Sequence, residues 1–417
     1  MFQRLMKRGQ RAALLIFVFL FIEFLDEFIQ GFREPAWPAI RSELGLTYQQ
    51  IGLLFGLPVL VSTIIEPLFG IVADTRQRKT LIVVGGIAFA LSTFISAIST
   101  NFWSLLFSYM LFFPASGAFV ALSQVALMDL EPTRYEQNMA RWSFAGSLGW
   151  VVGPLLLAGV AFALPGQTSW RVLYIMVGVT ALAATLFLMS RPVPQITIDT
   201  IDPDMEPETA RGFRQGLAAA IQALRRREVI RWLVLLEFAN LMLDILHGYI
   251  AFYFVDVVGV RETDTVLVVL VWTGVGLVSD FLIIPVLERV DGLRYLRFSV
   301  LIELILFPLF LLVPGVAPKL VLLGLLGFFN AGWYAILQGQ LYSAMPGQSG
   351  SVIAISTVSG LLGGLLPLAL GFAADQVGIG AALWLCWLGP IALMIGLPRH
   401  AAAQHETRIA ALETLAE

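Results

Sequence analysis

The sequence predicts an all-α membrane protein of twelve transmembrane helices, arranged as two pseudo-symmetric six-helix bundles. Three observations predict it. First, 58% of the 417 residues are hydrophobic and only 13% are charged, against roughly 25% charged residues in a soluble domain. Second, apolar runs of about 20 residues, enough to cross a hydrocarbon core of about 30 Å, recur twelve times. Third, Lys and Arg alternate between the segments that join those runs. With the N-terminus inside, 21 of the 26 basic residues fall on the inner side and 5 on the outer side. This positive-inside asymmetry also checks the span count, because losing one span would scramble the alternation.

The first run follows Arg4, Lys7, Arg8 and Arg11, which superficially suggests a signal peptide. No small-residue cleavage site follows, and the run contains Glu23, Asp26 and Glu27, so it reads as a retained first span at 12–33. The next five spans fall at 50–73, 80–98, 102–128, 140–163 and 170–190. Residues 1–190 therefore form an N-terminal six-helix half. The stretch 191–229 is a cytoplasmic linker, acidic at first (Asp199, Asp202, Asp204, Glu206, Glu208). It then becomes amphipathic, with Leu217, Ile221 and Leu224 at helical spacing. Spans at 230–254, 265–286, 297–315, 319–344, 350–373 and 379–397 make a C-terminal half over 230–397, and 398–417 is a cytoplasmic tail. These features place the chain in an inner (cytoplasmic) membrane as a multi-pass protein with both termini in the cytoplasm. The net charge of −3 gives no reason to expect a nucleic-acid partner. The single cysteine, Cys386, cannot form an intrachain disulfide and reads as a small buried hydrophobe.

The halves resemble one another. A shift of 217 residues lays Glu27-Phe28-Ile29-Gln30-Gly31-Phe32 on Asp244-Ile245-Leu246-His247-Gly248-Tyr249, and Glu23 on Asn240. Spans four and ten match again, Phe112-Phe113-Pro114-Ala115 against Phe328-Phe329-Asn330-Ala331. Parallel six-span repeats are how transporters with two rocking halves are built, with substrate held near the midplane between them.

The loop after span two reads Gly70-Ile71-Val72-Ala73-Asp74-Thr75-Arg76-Gln77-Arg78-Lys79. It resembles the signature between spans two and three of the major facilitator superfamily, with Gln77 where that family usually has a second glycine. Gly371 to Gly378 is a weaker echo at the end of span eleven, and Gly149-Trp150-Val151-Val152-Gly153-Pro154 resembles the span-five motif of the family's proton-coupled exporters. Leu157 and Ala158 replace the paired glycines that normally follow. The resemblance implies a secondary transporter, most like the drug and organic-compound exporters. It implies that Gly70, Asp74, Arg76, Arg78 and Lys79 latch the cytoplasmic ends of the halves, and that Gly149, Gly153 and Pro154 let helices pack closely. Gly149/Gly153 spacing is itself suited to close backbone approach.

The polar residues inside the spans carry the chemistry. Glu23, Asp26, Glu27 and Gln30 fall within roughly a 100° arc of span one, and Glu237, Asn240, Asp244 and His247 within roughly 80° of span seven. An ionised group at mid-bilayer costs about 2.5–3.5 kcal/mol on insertion scales, so these acids must face water, pair or be protonated. No Lys or Arg is expected deep in a span, Arg33 and Arg141 falling near span ends, so the cluster is acid-rich and cation-poor. That suits a proton relay in which a proton competes with a cationic substrate. Gln124, Asn330, Trp333 and Gln338 are candidates to line the cavity, and Trp333 could offer an aromatic wall to a cation. Glu66, Asp280 and Glu303 are isolated acids, of which Glu303 is set aside.

The expected activity is alternating-access, proton-coupled antiport that exports a cationic or neutral amphipathic organic compound. Proton-coupled symport of a small polar nutrient and divalent metal export are the alternatives, the latter disfavoured by a single membrane histidine and no cysteine near the acids. The expected partners are a small-molecule substrate, protons and membrane lipids. The chain is expected to act as a monomer without a cofactor or bound metal. Gly347-Gln348-Ser349-Gly350 formally matches a serine-protease pattern, but it falls in a short loop and twelve spans far exceed what that chemistry needs. The chain is therefore not expected to be an enzyme.

Overall fold

The computed structural model describes residues 2–73, 78–130, 135–164, 169–191, 225–287, 289–344 and 349–398. Among these, helices follow one another as twelve stretches: α1 (Phe2–Leu44), α2 (Tyr48–Ala73), α3 (Arg78–Ile98), α4 (102–130), α5 (Tyr135–Ala163), α6 (Ser169–Met189), α7 (227–258), α8 (Thr265–Leu287), α9 (Gly292–Leu312), α10 (316–344), α11 (Ser349–Val377) and α12 (379–396). Nine of the described helices are long and apolar enough by themselves to cross a membrane. The acid-rich α1 and α7, and α11, are not among those nine. Large apolar side chains such as Phe162, Phe281 and Ile395 are exposed, 91%, 75% and 81% respectively, as lipid-facing positions require. The linker from 192 to 224 and the tail from 399 onward lie outside the described residues.

The helices divide into two compact units that do not follow chain order. The first joins Met1–Ala218 to Gly248–Leu270 and Thr357–Ala382; the second comprises Ala219–His247, Val271–Ser356 and Leu383–Glu417.

Within the first unit, α1 runs about ten residues past the end that the apolar run suggested. Pro35 and Pro38 lie inside it, where the missing N–H groups would normally end a helix. Neighbouring helices stabilise the stretch instead, as membrane bundles allow. The Thr265 hydroxyl donates to the Pro35 carbonyl at 2.7 Å, and Ala36, Trp37 and Ile40 are buried. At the end of α1, Glu43 accepts from Arg171 Nε and from the Trp170 indole, both at 2.8 Å. Arg171 also donates to the Ser99 carbonyl at 2.7 Å, tying α1 to the junction of α3 and α4 and to the start of α6.

The contact between α1 and α5 is built on glycine. A Cβ at Gly149 would lie 2.6 Å from Phe24 O and 2.7 Å from Phe28 N, and one at Gly153 would lie 2.7 Å from Phe28 O and Phe32 N. On the opposite side, a Cβ at Gly31 would lie 2.8 Å from Trp150 O. The backbones touch, so no side chain fits between them. Gly52 and Gly371 similarly bring α2 against α11, a Cβ at Gly371 falling 2.5 Å from Tyr48 O.

The start of α2 is capped from a distant element. Four N–H groups at a helix N-terminus lack intrahelical partners, and here the Asp375 carboxylate at the end of α11 accepts from Tyr48 N at 2.7 Å and Gln49 N at 2.8 Å. An acid in this position also complements the helix dipole.

In the second unit, α9 is capped by Asp291, which accepts from Arg294 N at 3.0 Å. A Cβ at Gly389 of α12 would lie 2.6 Å from Phe238 O of α7. The tenth stretch is interrupted at 330–332, where Gly332 adopts φ +75°, a conformation open to glycine at no steric cost.

Candidate functional site

The polar face of α1 is longer than the span-one window suggested. At 100° per residue, Glu23, Asp26, Glu27, Gln30, Arg33, Glu34, Trp37 and Arg41 all fall within about 120° of one another. At 1.5 Å per residue the track is about 27 Å long, close to the thickness of a hydrocarbon core.

The acidic end packs on α5. Glu23 is only 8% exposed and is hydrogen-bonded by the Trp142 side chain, while Glu27 is hydrogen-bonded by Trp150. The two tryptophans are eight residues apart, so they stand on nearly the same face of α5. Gly146 lies between them, and a Cβ there would sit 2.9 Å from Glu23 Oε1. Asp26 turns to α4, accepting from Ser116 Oγ at 2.8 Å. Directly after Ser116 the helix widens into a π-turn over Gly117–Ala121; such bulges frequently mark functional sites.

Next along the track is a cation that the sequence reading had placed at a span end. Because α1 continues to Leu44, Arg33 lies inside the helix and is 8% exposed. Its Nη2 donates to the Gln30 side-chain carbonyl. Its guanidinium carbon stands 5.4 Å from the Tyr109 ring centroid and 5.8 Å from that of Phe113, within cation–π range. The Tyr109 and Tyr174 hydroxyls are 2.9 Å apart. The track is thus acidic at one end and basic further along, a correction to the cation-poor reading. At its far end Arg41 pairs with Asp256, which also accepts from the Tyr48 hydroxyl.

In the second unit, Glu237, Asn240, Asp244 and His247 follow one another along α7. The helix widens into a π-turn over Leu241–Ile245, which changes the angular register beyond Asn240. Glu237, Asn240 and His247 are half-buried, Asp244 is exposed, and the His247 ring stacks on Trp272 with centroids 6.0 Å apart.

The other candidates separate. In the first unit Gln124 is half-buried, as is Gln338 in the second. Asn330, in the α10 interruption, is buried. Trp333 offers no open aromatic wall: it is fully enclosed and its indole donates to Ser299 Oγ at 2.8 Å. The interruption before it restarts the helix in a new register, which the uninterrupted span reading did not foresee. Of the loop signature, Arg78 is buried and Lys79 Nζ donates to the Met189 carbonyl at 2.9 Å. Asp74 and Arg76 lie outside the described residues, and only the place of Gly70 in α2 is described. Pro154 lies inside α5 and is buried. Among the described residues no group of three His, Cys, Asp or Glu is placed to hold a metal ion.

One residue that the sequence reading set aside stands out. Glu303 is fully buried, and neither of its carboxyl oxygens has a hydrogen-bond partner among the described residues. The signal was present: Leu296, Ser299, Val300, Glu303, Phe307 and Phe310 recur at helical spacing as the buried face of α9.

Serial apolar helices with an internal polar track define a multi-pass membrane protein. The chain belongs to the Major Facilitator Superfamily, whose family model matches residues 16–368. It is 30% identical over 176 residues to the quinolone resistance protein NorA of Staphylococcus aureus, covering 42% of this chain and 44% of NorA. It is 33% identical over 117 residues to the MFS transporter L2 of Phoma sp., covering 27% of this chain and 18% of L2. The chain thus spans less than half the length of these curated relatives. In fold it is similar to a bacterial homologue of the human lysosomal transporter Spinster, with TM-score 0.73 at 15% identity over 93% of this chain and 95% of that one. It is similar to the nucleoside transporter NupG to the same degree, with TM-score 0.73 at 14% identity over 92% and 98%.

Proposed function

We propose that the chain is a proton-coupled antiporter that exports a cationic or neutral amphipathic organic compound by alternating access. It acts from the inner membrane with both termini in the cytoplasm. The observation that carries this reading is the acidic end of α1. Glu23 and Glu27 are largely removed from bulk water and hydrogen-bonded by tryptophan side chains, with the Arg33 charge acting on Glu27 from further along the helix. A carboxyl group so placed exchanges a proton for a substrate cation at low cost, because either one neutralises it. The indoles beside it suit an organic cation. NorA, whose name records quinolone resistance, makes an organic compound the natural cargo. Asp244 supplies the matching acid of the second half, and the loop from Gly70 to Lys79 acts as the conformational latch.

The test uses proteoliposomes with an imposed pH gradient and ethidium as the fluorescent cationic probe. Glu27→Gln and Asp244→Asn should each reduce gradient-driven ethidium transport to that of empty liposomes, while both proteins keep wild-type helicity and melting temperature. Full gradient response in both variants refutes the relay.

A further inference from the structure

One turn of α1 beyond the acids gathers buried polar atoms that the proton relay does not use. Arg33 Nε, Glu34 Oε2 and Trp37 Nε1 are each buried with no hydrogen-bond partner among the described residues. Arg33 is 8% exposed and Trp37 is fully buried. Buried polar atoms of this kind are seldom left unsatisfied in native proteins, and each needs an explanation such as water or a ligand. In a membrane bundle bulk water does not reach them freely. The three residues share about a 100° arc of the helix, with Trp37 between the other two. Aromatic rings wall the place: Tyr109 and Phe113 beneath the guanidinium, and Phe55, Tyr109 and Phe252 around the Trp37 ring.

The donor set states what fits. Two N–H donors and one carboxylate acceptor complement a group that accepts twice and donates once. Arg33 and Glu34 carry opposite charges, so the matching group is itself neutral. A primary carboxamide supplies this pattern, its carbonyl oxygen accepting from both donors and one of its two N–H groups donating to Glu34, whereas a carboxylate would meet Glu34 without a proton to share. Glu27 and Arg33 are six residues apart, about 9 Å along the axis, the length of one substituted aromatic ring.

We propose that Arg33, Glu34 and Trp37 form a second recognition subsite for a neutral carboxamide-type head of the substrate. The preferred cargo is then an aromatic amine with its cation toward Glu23 and Glu27 and a carboxamide at the opposite end. This deepens the export reading and rests on it for the cation end only.

The experiment compares phenethylamine with its para-carboxamide derivative by isothermal titration calorimetry on the full chain in detergent. The carboxamide should bind wild-type protein about tenfold more tightly, the worth of one or two buried hydrogen bonds. Trp37→Phe keeps the ring and deletes one donor, and Arg33→Gln removes the charge. Each should bring the carboxamide close to phenethylamine; Trp37→Phe should leave phenethylamine itself unchanged, while Arg33→Gln, which removes a positive charge that acts on Glu27, is read by the ratio of the two affinities. Glu27→Gln should weaken both probes alike. Equal binding of the two probes to wild type, a preference that survives both substitutions, or no carboxamide binding overturns the subsite. If the carboxamide preference holds but Glu27→Gln leaves both affinities unchanged, the subsite stands and the acidic cation site falls.

Discussion

Gly149→Ala tests how the acidic track is held. The Cβ it adds would meet Phe24 O at 2.6 Å and Phe28 N at 2.7 Å. Both are backbone atoms of α1, so no rotamer change relieves the clash. Ordinary carbon–oxygen contact begins near 3.4 Å, so α1 and α5 must separate by about 0.8 Å at this point, and overpacking of this kind typically costs about 1–3 kcal/mol. The same separation pulls Glu23 and Glu27 from Trp142 and Trp150, so stability and coupling should fall together. Gly159→Ala is the matched control: it lies on the same helix, and a Cβ there meets nothing within 4 Å. With the clash absent, only helix propensity acts, favouring alanine by up to about 1 kcal/mol. Thermal unfolding in detergent should therefore drop by several degrees for Gly149→Ala and hold or rise for Gly159→Ala. Ethidium transport should be lost only in the first. Equal melting temperatures for the two variants would refute the glycine-contact argument.

Two further perturbations probe other parts of the chain. Asp256→Asn removes the charge that Arg41 and the Tyr48 hydroxyl share, and it should weaken this network by about 1–2 kcal/mol, as loss of charge-assisted hydrogen bonds does. In a Cys386→Ala background, a cysteine placed at Phe55 should then react faster with a membrane-impermeant maleimide; an unchanged rate argues that this network does not hold α1, α2 and α7 together. Glu303→Met replaces a fully buried carboxyl whose oxygens lack partners with an apolar side chain of similar length. It should hold or raise the melting temperature, because an unsatisfied buried polar group costs more than it contributes, and a fall of several degrees would show that the carboxyl is used.

The helical plan was legible because apolar runs long enough for a bilayer leave few alternatives, and the positions of α2 to α6 follow the spans read from them within a few residues. The acids at 23, 26 and 27 were legible for a related reason: a carboxyl in an apolar run is costly enough to draw notice. Glycines such as Gly149 and Gly153 were visible as a spacing, but which backbone atoms they touch was not. Trp333 was misplaced because a single left-handed glycine at 332 resets the helix that carries it.

The sequence by itself determined that this chain crosses a membrane repeatedly and carries acids on one face of its first helix, since both follow from hydropathy and 3.6-residue periodicity. Only the tertiary structure decided where that first helix ends. A window of apolar residues stops at Arg33, Glu34 and Pro35, because alone in lipid those residues would be prohibitively polar or helix-breaking. Packed against α4, α5 and the Thr265 hydroxyl, they are tolerated, and the polar track continues through a buried arginine to Arg41. Partners such as Ser116 for Asp26, or Asp256 for Arg41, lie 90 and 215 residues away in the chain, and no local pattern encodes separations of that size.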